Sequence, residues 1–193
     1  MLWKHRTPEA PARLDPGLLL RASRASWAAR ELSWTRRLHR GADFPALVLL
    51  LAVVSRLGDG LLWYAGMAVL PLVAGARGWA CSLRMMVLGL LNLTIYLLLK
   101  RWASRPRPYV ACQDIRACVR ALDQFSFPSG HTLHAVAFSI VLIEYFPGTA
   151  WVLVPFTLLV ALSRVVLGLH YPSDVLAGAG IGALMAFGVL ALF

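Results

Sequence analysis

The sequence is poor in charge, and above all in acids. Among its 193 residues only 15% are charged, and 9 acidic side chains face 19 lysines and arginines, for a net charge of +10. Hydrophobic residues make up 59% of the chain, and its mean hydropathy is +0.68. A water-soluble domain of this size does not carry so much apolar surface, so the sequence predicts an integral membrane protein.

Metal ligands are also scarce. The chain has 3 cysteines, and neither zinc-ligand spacing nor a cluster of carboxylates is present, so we predict no metal and no other cofactor. Cys112 and Cys118 lie in one polar loop and could form a disulfide if that loop faces an oxidising compartment. No basic-aromatic module for nucleic acid is present, so the positive charge favours an anionic membrane surface as the partner.

The basic residues are concentrated before the first apolar run. Arginines interrupt every apolar stretch there, which excludes a secretory signal. Trp27, Leu32, Trp34 and Leu38 alternate with arginines, a pattern that predicts an amphipathic helix on the membrane surface. We therefore expect residues 1–43 to form a basic amphipathic leader and residues 44–193 to form a membrane-embedded domain.

Six apolar runs follow the leader, at residues 44–57, 61–76, 79–99, 131–146, 149–169 and 175–193. The first is shorter than the ~20 residues that a spanning helix needs. The sequence thus predicts an all-α helical bundle of five or six transmembrane helices. In the last run, Gly178, Gly180 and Gly182 would allow another helix to approach closely.

Counting crossings places the polar residues on one face of the membrane. Lys100 ends one run, His131 begins the next, and the run after that returns to end at His170. All three residues are therefore expected at the same end of the bundle.

Residues 163–174 combine an arginine, a histidine and an aspartate within apolar surroundings. Ionisable residues there are costly, so Arg164, His170 and Asp174 indicate a functional site. Pro172 suits the first turn of a helix, which would bring Asp174 within hydrogen-bond reach of one ring nitrogen of His170. The other nitrogen would then serve as nucleophile or base. The alternative is an Arg–Asp pair that joins two helix ends, with His170 merely at an interface.

Two more segments carry potential anion ligands. Ser129 and Gly130 precede an apolar run, with Ser129 or Thr132 as helix cap, and a helix start of this kind presents backbone N–H groups to an anion. The segment Lys100-x6-Arg107-Pro108 is expected to put two cations and a rigid loop beside this helix start. Taken alone, these features also fit an ordinary capped helix and cations that extend to the membrane interface.

Together the three segments supply the parts of a phosphoryl-transfer site. The oxygens of a phosphate would be bound by three cations and by the amides near one helix start, namely Lys100, Arg107, Arg164, Ser129 and Gly130. His170 could attack phosphorus, Asp174 could support the imidazolium, and His131 could protonate the departing oxygen.

These segments resemble the three motifs of the type 2 phosphatidic acid phosphatase (PAP2) superfamily. The matching patterns are Lys100-x6-Arg107-Pro108, Pro128-Ser129-Gly130-His131 and Ser163-Arg164-x5-His170-x3-Asp174, in the family's order and within residues 55–193. The resemblance implies a membrane helical bundle, a phosphohistidine at His170 with Asp174 as its partner, and His131 as general acid. It also implies the phosphate ligands named above. Arg105 begins a second Arg-Pro pair, but the spacing from Lys100 assigns the motif to Arg107. His134 and Asp59 lie outside the motifs and receive no functional role.

The function that follows is metal-independent hydrolysis of a lipid phosphate or diphosphate, such as undecaprenyl diphosphate or phosphatidylglycerophosphate. A phosphotransferase that passes the phosphoryl group from the same histidine to a second lipid is the alternative. Vanadate haloperoxidases share the motifs but are soluble, and the intact His131, His170 and Asp174 weigh against a silent scaffold. The sequence makes no prediction of oligomeric state.

The resemblance places the protein in the bacterial inner membrane with its site facing the periplasm. If residues 44–57 do not span, however, five spans and a cytoplasmic leader would put the site in the cytoplasm. Arg116 and Arg120 in the site-side loop favour that second arrangement.

Overall fold

A computed structural model describes residues 16–192, and their side chains from residue 26 onward. Within this range the chain forms helices and no strand, which confirms the all-α class. The helices are α1 (Pro16–His39), α2 (Pro45–Leu57), α3 (Leu61–Ala103), α4 (Pro108–Ala111), α5 (Gly130–Tyr145), α6 (Ala150–Val166) and α7 (Pro172–Leu192), with 3-10 turns at Arg40–Asp43 and Pro147–Thr149. Cys81, Cys112 and Cys118 are free thiols, so the disulfide that the sequence allowed is absent.

Helix α3 is a hairpin of two helices rather than one rod. Gly75 has φ 53° and ψ −133°, values that no helix contains and that glycine adopts without strain. Beyond this break the chain turns back, because Ser82 Oγ donates to the carbonyl of Met67 at 2.8 Å. In a straight helix those 15 residues would separate the two groups by about 22 Å. The apolar runs predicted at residues 61–76 and 79–99 are therefore two limbs that meet at Gly75.

Helix α2 runs along one end of the bundle instead of through it. Just before it, Gly41 lies against Val166 of α6, and just after it, Gly58 lies against Val160. Those two positions on α6 differ in depth by about 9 Å, whereas the 13 residues of α2 extend about 20 Å. Within the described residues three helical segments are long and apolar enough to cross a membrane, or four if the end of α1 and α2, bent by 108°, count as one.

Helices α5 and α7 approach so closely that their backbones touch. A Cβ on Gly178 would lie 2.5 Å from the carbonyl oxygen of Ser129, and one on Gly182 would lie 2.3 Å from that of Leu133. The predicted close helix contact is confirmed at these two glycines, whereas Gly180 faces open space. This contact fixes the start of α5 beside the start of α7, and both starts belong to the site.

Contacts divide the chain after Arg30, and the second unit comprises residues 31–193. In that unit the last two turns of α1 turn a polar face inward, because Glu31, Thr35 and His39 are buried at four-residue intervals while Trp34 and Leu38 are exposed. The His39 ring bonds the carbonyl of Val166 at 2.9 Å. The leader predicted for residues 1–43 begins outside the described residues, and its boundary at residue 43 stays a prediction.

Candidate active site

His170 lies in the turn between α6 and α7, with 2% of its surface exposed. Its Nε2 is 3.2 Å from Nη1 of Arg107. Because a guanidinium can only donate, Nε2 accepts this bond and the ring proton resides on Nδ1. Burial and the nearby charges of Arg164 and Arg107 lower the pKa of His170 well below its ordinary value. The imidazole is therefore neutral near pH 7, and Nε2 carries the lone pair that a nucleophile needs.

The hydrogen bond predicted between Asp174 and His170 is not formed. Asp174 Oδ2 is 3.7 Å from His170 Nδ1, beyond hydrogen-bond range. The carboxylate is instead occupied by two other donors, the Tyr171 amide at 2.8 Å and Arg105 Nη1 at 2.7 Å. His170 Nδ1 has no hydrogen-bond partner among the described residues. Asp174 thus faces the ring proton as a nearby charge, held in place by its own partners.

An Arg–Asp pair does join two parts of the bundle, as the alternative reading expected, but Arg105 forms it rather than Arg164. The other side of the Arg105 guanidinium donates to Glu31 of α1 at 2.6 Å, and Glu31 also accepts the amide of Ser173 at 3.0 Å. The guanidinium stacks on the Tyr171 ring at 4.0 Å. Sequence reasoning missed Glu31, although it is the one acid in residues 16–39 and therefore stood out from its basic surroundings.

Arg164 is 3% exposed and offers an unused donor to the site. Its Nη1 donates to Ser55 Oγ of α2 at 2.5 Å, while its Nε has no partner among the described residues. Buried polar groups in folded proteins are almost always bonded, so an orphaned guanidinium nitrogen beside His170 indicates the place of an anionic ligand.

His131 pairs with Asp59, which the sequence analysis left without a role. Its Nε2 bonds Oδ1 of Asp59, an aspartate in the turn between α2 and α3. Burial raises the pKa of Asp59, but the hydrogen bonds from His131 and Arg56 and the charges of His131 and Arg164 together outweigh burial, so the pKa is lowered and the carboxylate is charged at neutral pH. Counting crossings could have found this partner. The limb that begins after Asp59 and the limb that ends at Lys100 are antiparallel, so Asp59 lies at the same end of the bundle as Lys100 and His131. His134, one turn later, bonds the carbonyl of Gly130 on its own helix.

Lys100 and Arg107 are brought together, but on a second aspartate. Asp123, in the loop between α4 and α5, accepts bonds from Lys100 Nζ and from Arg107 Nη2, the latter at 2.7 Å. Tyr96 donates to its other oxygen at 2.5 Å. Burial raises the pKa of Asp123, yet the bonds from Lys100 and Tyr96 lower it to about 2 overall. No spacing pattern in the sequence points to Asp123.

Helix α5 begins at Gly130 with its first amides free of a side-chain cap. Ser129 occupies the cap position, but its hydroxyl bonds Thr132 Oγ1 at 3.0 Å and not a backbone N–H. The Ser129 amide donates to the carbonyl of Asp174 at 3.0 Å. That bond joins the starts of α5 and α7. The first-turn amides from Gly130 onward have no side-chain cap, and amides of this kind can bind an anion.

A largely apolar cavity of about 690 Å³ opens beside His131. It extends from the turn that holds Asp59 between the limbs of α3 and the face of α5. Its walls include Trp63, Met86 and Phe138. The cavity is large enough for part of an apolar chain, and it adjoins the polar side chains of His131 and Asp59.

A family model described as the PAP2 superfamily matches residues 79–193. The chain belongs to this superfamily. Glu31 and Asp59, two of the three acids that sequence reasoning missed, lie outside the matched residues, whereas the Lys100, His131 and His170 segments of the PAP2 site lie within them.

Two curated relatives of this PAP2 chain come from Bacillus subtilis (strain 168). Undecaprenyl-diphosphatase BcrC is 35% identical over 101 residues, which are 52% of this chain and 52% of the relative. Phosphatidylglycerophosphatase B is 30% identical over 156 residues, covering 72% of this chain and 64% of the relative. The chain spans about half the length of most of the curated relatives it matches.

A solved structure matches over nearly the whole chain. The crystal structure of a transmembrane PAP2-type phosphatidylglycerolphosphate phosphatase from Bacillus subtilis superposes with a TM-score of 0.70 at 25% identity, covering 91% of this chain and 90% of that one. Together with the apolar helices, this match identifies the PAP2 chain as an integral membrane protein.

Proposed function

We propose that the protein hydrolyses a lipid phosphate or diphosphate through a phosphohistidine on His170. The observation that carries the proposal is the buried, neutral imidazole of His170, whose Nε2 lies 3.2 Å from one arginine while a second arginine beside it has an unpartnered Nε. A neutral nucleophile among cations suits an electrophile that arrives with negative charge.

Each cation would bind a different part of the phosphate. Arg107 and Arg164 would bind nonbridging oxygens next to Nε2, and Lys100 would neutralise a further charge. Amides in the first turn of α5 would complete the cradle. These side chains supply the positive charge that phosphoryl transfer requires, so the proposed reaction uses no metal.

The chemistry then proceeds in two balanced steps. Nε2 of His170 attacks phosphorus as the bond to the lipid oxygen breaks, and His131 gives that oxygen a proton. A water molecule then attacks the phosphohistidine, loses its proton to His131, and releases phosphate while Nε2 regains its lone pair. Because Asp59 binds Nε2 of His131, the proton transferred is the one on Nδ1. Asp174 opposes the positive charge that develops on the His170 ring.

A lipid substrate is supported by the apolar cavity at His131. A lipid whose chain lay along the α3 hairpin would present its headgroup to the histidines. The names of the relatives specify undecaprenyl diphosphate and phosphatidylglycerophosphate, and both combine such a chain with a terminal phosphate.

The membrane side is a separate proposal. The resemblance favours the bacterial inner membrane with the site in the periplasm. The position of α2 and the Arg36–Asp114 pair at 2.6 Å instead support five crossings, with arginines of the leader on the site side. By the positive-inside rule that side would be cytoplasmic. Labelling a cysteine introduced at the exposed position Ala117 with an impermeant maleimide, in a background without the natural cysteines, distinguishes the two: reaction in intact spheroplasts supports the periplasm, and protection until lysis contradicts it.

Phosphate release by the purified protein in detergent tests the activity. The panel would hold undecaprenyl diphosphate, phosphatidylglycerophosphate, phosphatidic acid and a lipid A diphosphate, with a chelator present. We expect release from at least one lipid, lost in His170→Ala and kept in His134→Ala, which removes a histidine outside the proposed machinery. Release only when a second lipid is supplied as acceptor would establish the phosphotransferase instead. Equal release by His170→Ala would contradict the proposal.

A further inference from the structure

The loop between α4 and α5 places a carboxylate on two of the cations that we assign to phosphate binding. Oδ1 of Asp123 accepts hydrogen bonds from both Lys100 Nζ and Arg107 Nη2, and its backbone carbonyl accepts a third from Arg107 Nε at 3.1 Å. Tyr96 binds the remaining carboxylate oxygen. A phosphate would need the same donors in the same arrangement: an anionic oxygen bridging an ammonium and a guanidinium.

Burial shows on which side of the cations the carboxylate lies. The side chains of Lys100 and Arg107 are 6% and 1% exposed, whereas that of Asp123 is 30% exposed. The carboxylate thus lies between the cations and the surroundings. It belongs to a segment without regular secondary structure, which can move without unravelling a helix.

We propose that Asp123 is an internal ligand of the phosphate site, which the substrate phosphate displaces. The inference rests on the proposed function of Lys100 and Arg107 as phosphate ligands. In the empty enzyme Asp123 keeps two buried cations paired, which would otherwise be costly. A terminal phosphate has up to two negative charges and three free oxygens, so it can replace the Asp123 carboxylate, which has one charge and two oxygens.

This role sets the affinity of the site for phosphate. A ligand that binds only the open state shows an apparent affinity reduced by the fraction of molecules that are open. If Asp123 occupies the site nine-tenths of the time, its removal tightens binding about tenfold. If Asp123 instead stays in place and only orients Lys100 and Arg107, its removal should change the affinity in the opposite direction, because binding would become weaker. The sign of the change therefore separates the two roles.

The experiment measures binding of inorganic vanadate, a phosphate mimic, to the full-length protein in detergent by isothermal titration. Asp123→Asn keeps the shape of the side chain and removes its charge. The matched control is Asp114→Asn, which removes the same charge from the same loop at a position paired with Arg36 at the surface. We expect vanadate to bind Asp123→Asn about tenfold more tightly than the wild type, and Asp114→Asn to bind it as the wild type does.

Thermal denaturation provides a second readout. Without ligand, Asp123→Asn should melt at a lower temperature than the wild type, because two buried cations lose their partner. Added vanadate should raise its melting temperature by more than it raises that of the wild type. Tyr96→Phe, which removes one bond to Asp123 without changing charge, should also tighten vanadate binding, by a smaller factor. It serves as the test if Asp123→Asn does not fold.

The outcomes separate this inference from the proposed function. Vanadate that binds the wild type, but binds Asp123→Asn or Tyr96→Phe no more tightly, would overturn the role of Asp123 and leave the phosphatase proposal standing. Vanadate that binds neither the wild type nor the variants would contradict the phosphate site itself, and the inference with it.

Discussion

Replacing Asp59 by asparagine tests whether the general acid depends on its aspartate. The variant keeps the size of the side chain but removes the charge that faces His131. A hydrogen bond between charged groups contributes about 1.5–3 kcal/mol. If the whole energy of the His131–Asp59 bond stabilises the transition state, its loss slows turnover by about 10- to 100-fold. General acids contribute roughly 10²–10⁴-fold in total, so the loss should not exceed that of His131→Ala.

The assay is phosphate release by the single variants Asp59→Asn and His131→Ala and by the double variant. Because both changes act on the same proton transfer, the double variant should be no slower than His131→Ala alone. Arg56→Ala is the matched control, since Arg56 is the other partner of Asp59 at 3.0 Å but is largely exposed, and such pairs contribute about 0–1 kcal/mol. Losses that multiply in the double variant would refute the coupling of Asp59 to the general acid.

Two further predictions concern packing and pH. Gly182→Val puts a side chain against the backbone of α5, where even a Cβ would lie 2.3 Å from a carbonyl oxygen. The substitution should therefore lower the free energy of unfolding by about 2 kcal/mol or more and the melting temperature by roughly 5 °C. Gly180→Val, which faces open space, should melt as the wild type does, and equal melting of both variants would contradict the packing. The lowered pKa of His170 means that its neutral form persists below its usual titration range, so kcat/KM should hold from pH 7 through about 6.5 and be lost only as the pH falls further. An acid limb centred at or above about 6.5 in the pH–rate profile would contradict a buried neutral nucleophile.

Sequence patterns could predict the fold class and the positions of the two motif histidines because both depend on residues that are close together in the chain. Apolar runs of nearly spanning length dictate helices, and motif spacing places His131 and His170 at helix ends. The direction of α2 could not be predicted, because its 13 residues are apolar whether the helix crosses the bundle or lies along its end. Contacts with α6 decide between these arrangements, and they join residues more than 100 positions apart.

The acids of the site could not be predicted either, because their contacts join residues that are far apart in the sequence. Asp59 lies 72 residues from His131, and Glu31 lies 74 residues from Arg105, so no local spacing connects them. Asp123 is nearer to Arg107 in sequence, but the segment between them is α4 followed by an irregular loop, whose path the sequence does not specify. Acids are few in this chain and membrane burial makes each one costly, so each could have been examined as a partner for a cation or histidine.

Direct capture of the phosphoenzyme tests the central claim. His131→Ala should slow hydrolysis of the intermediate, so this variant would be mixed with a lipid diphosphate carrying a ³²P label at its terminal phosphate and quenched in alkaline detergent. The account predicts a protein-bound label that resists base, is lost in acid, and maps by mass spectrometry to the peptide containing His170. Label on another residue, or turnover by the wild type with no labelled protein in this variant, would contradict nucleophilic catalysis by His170.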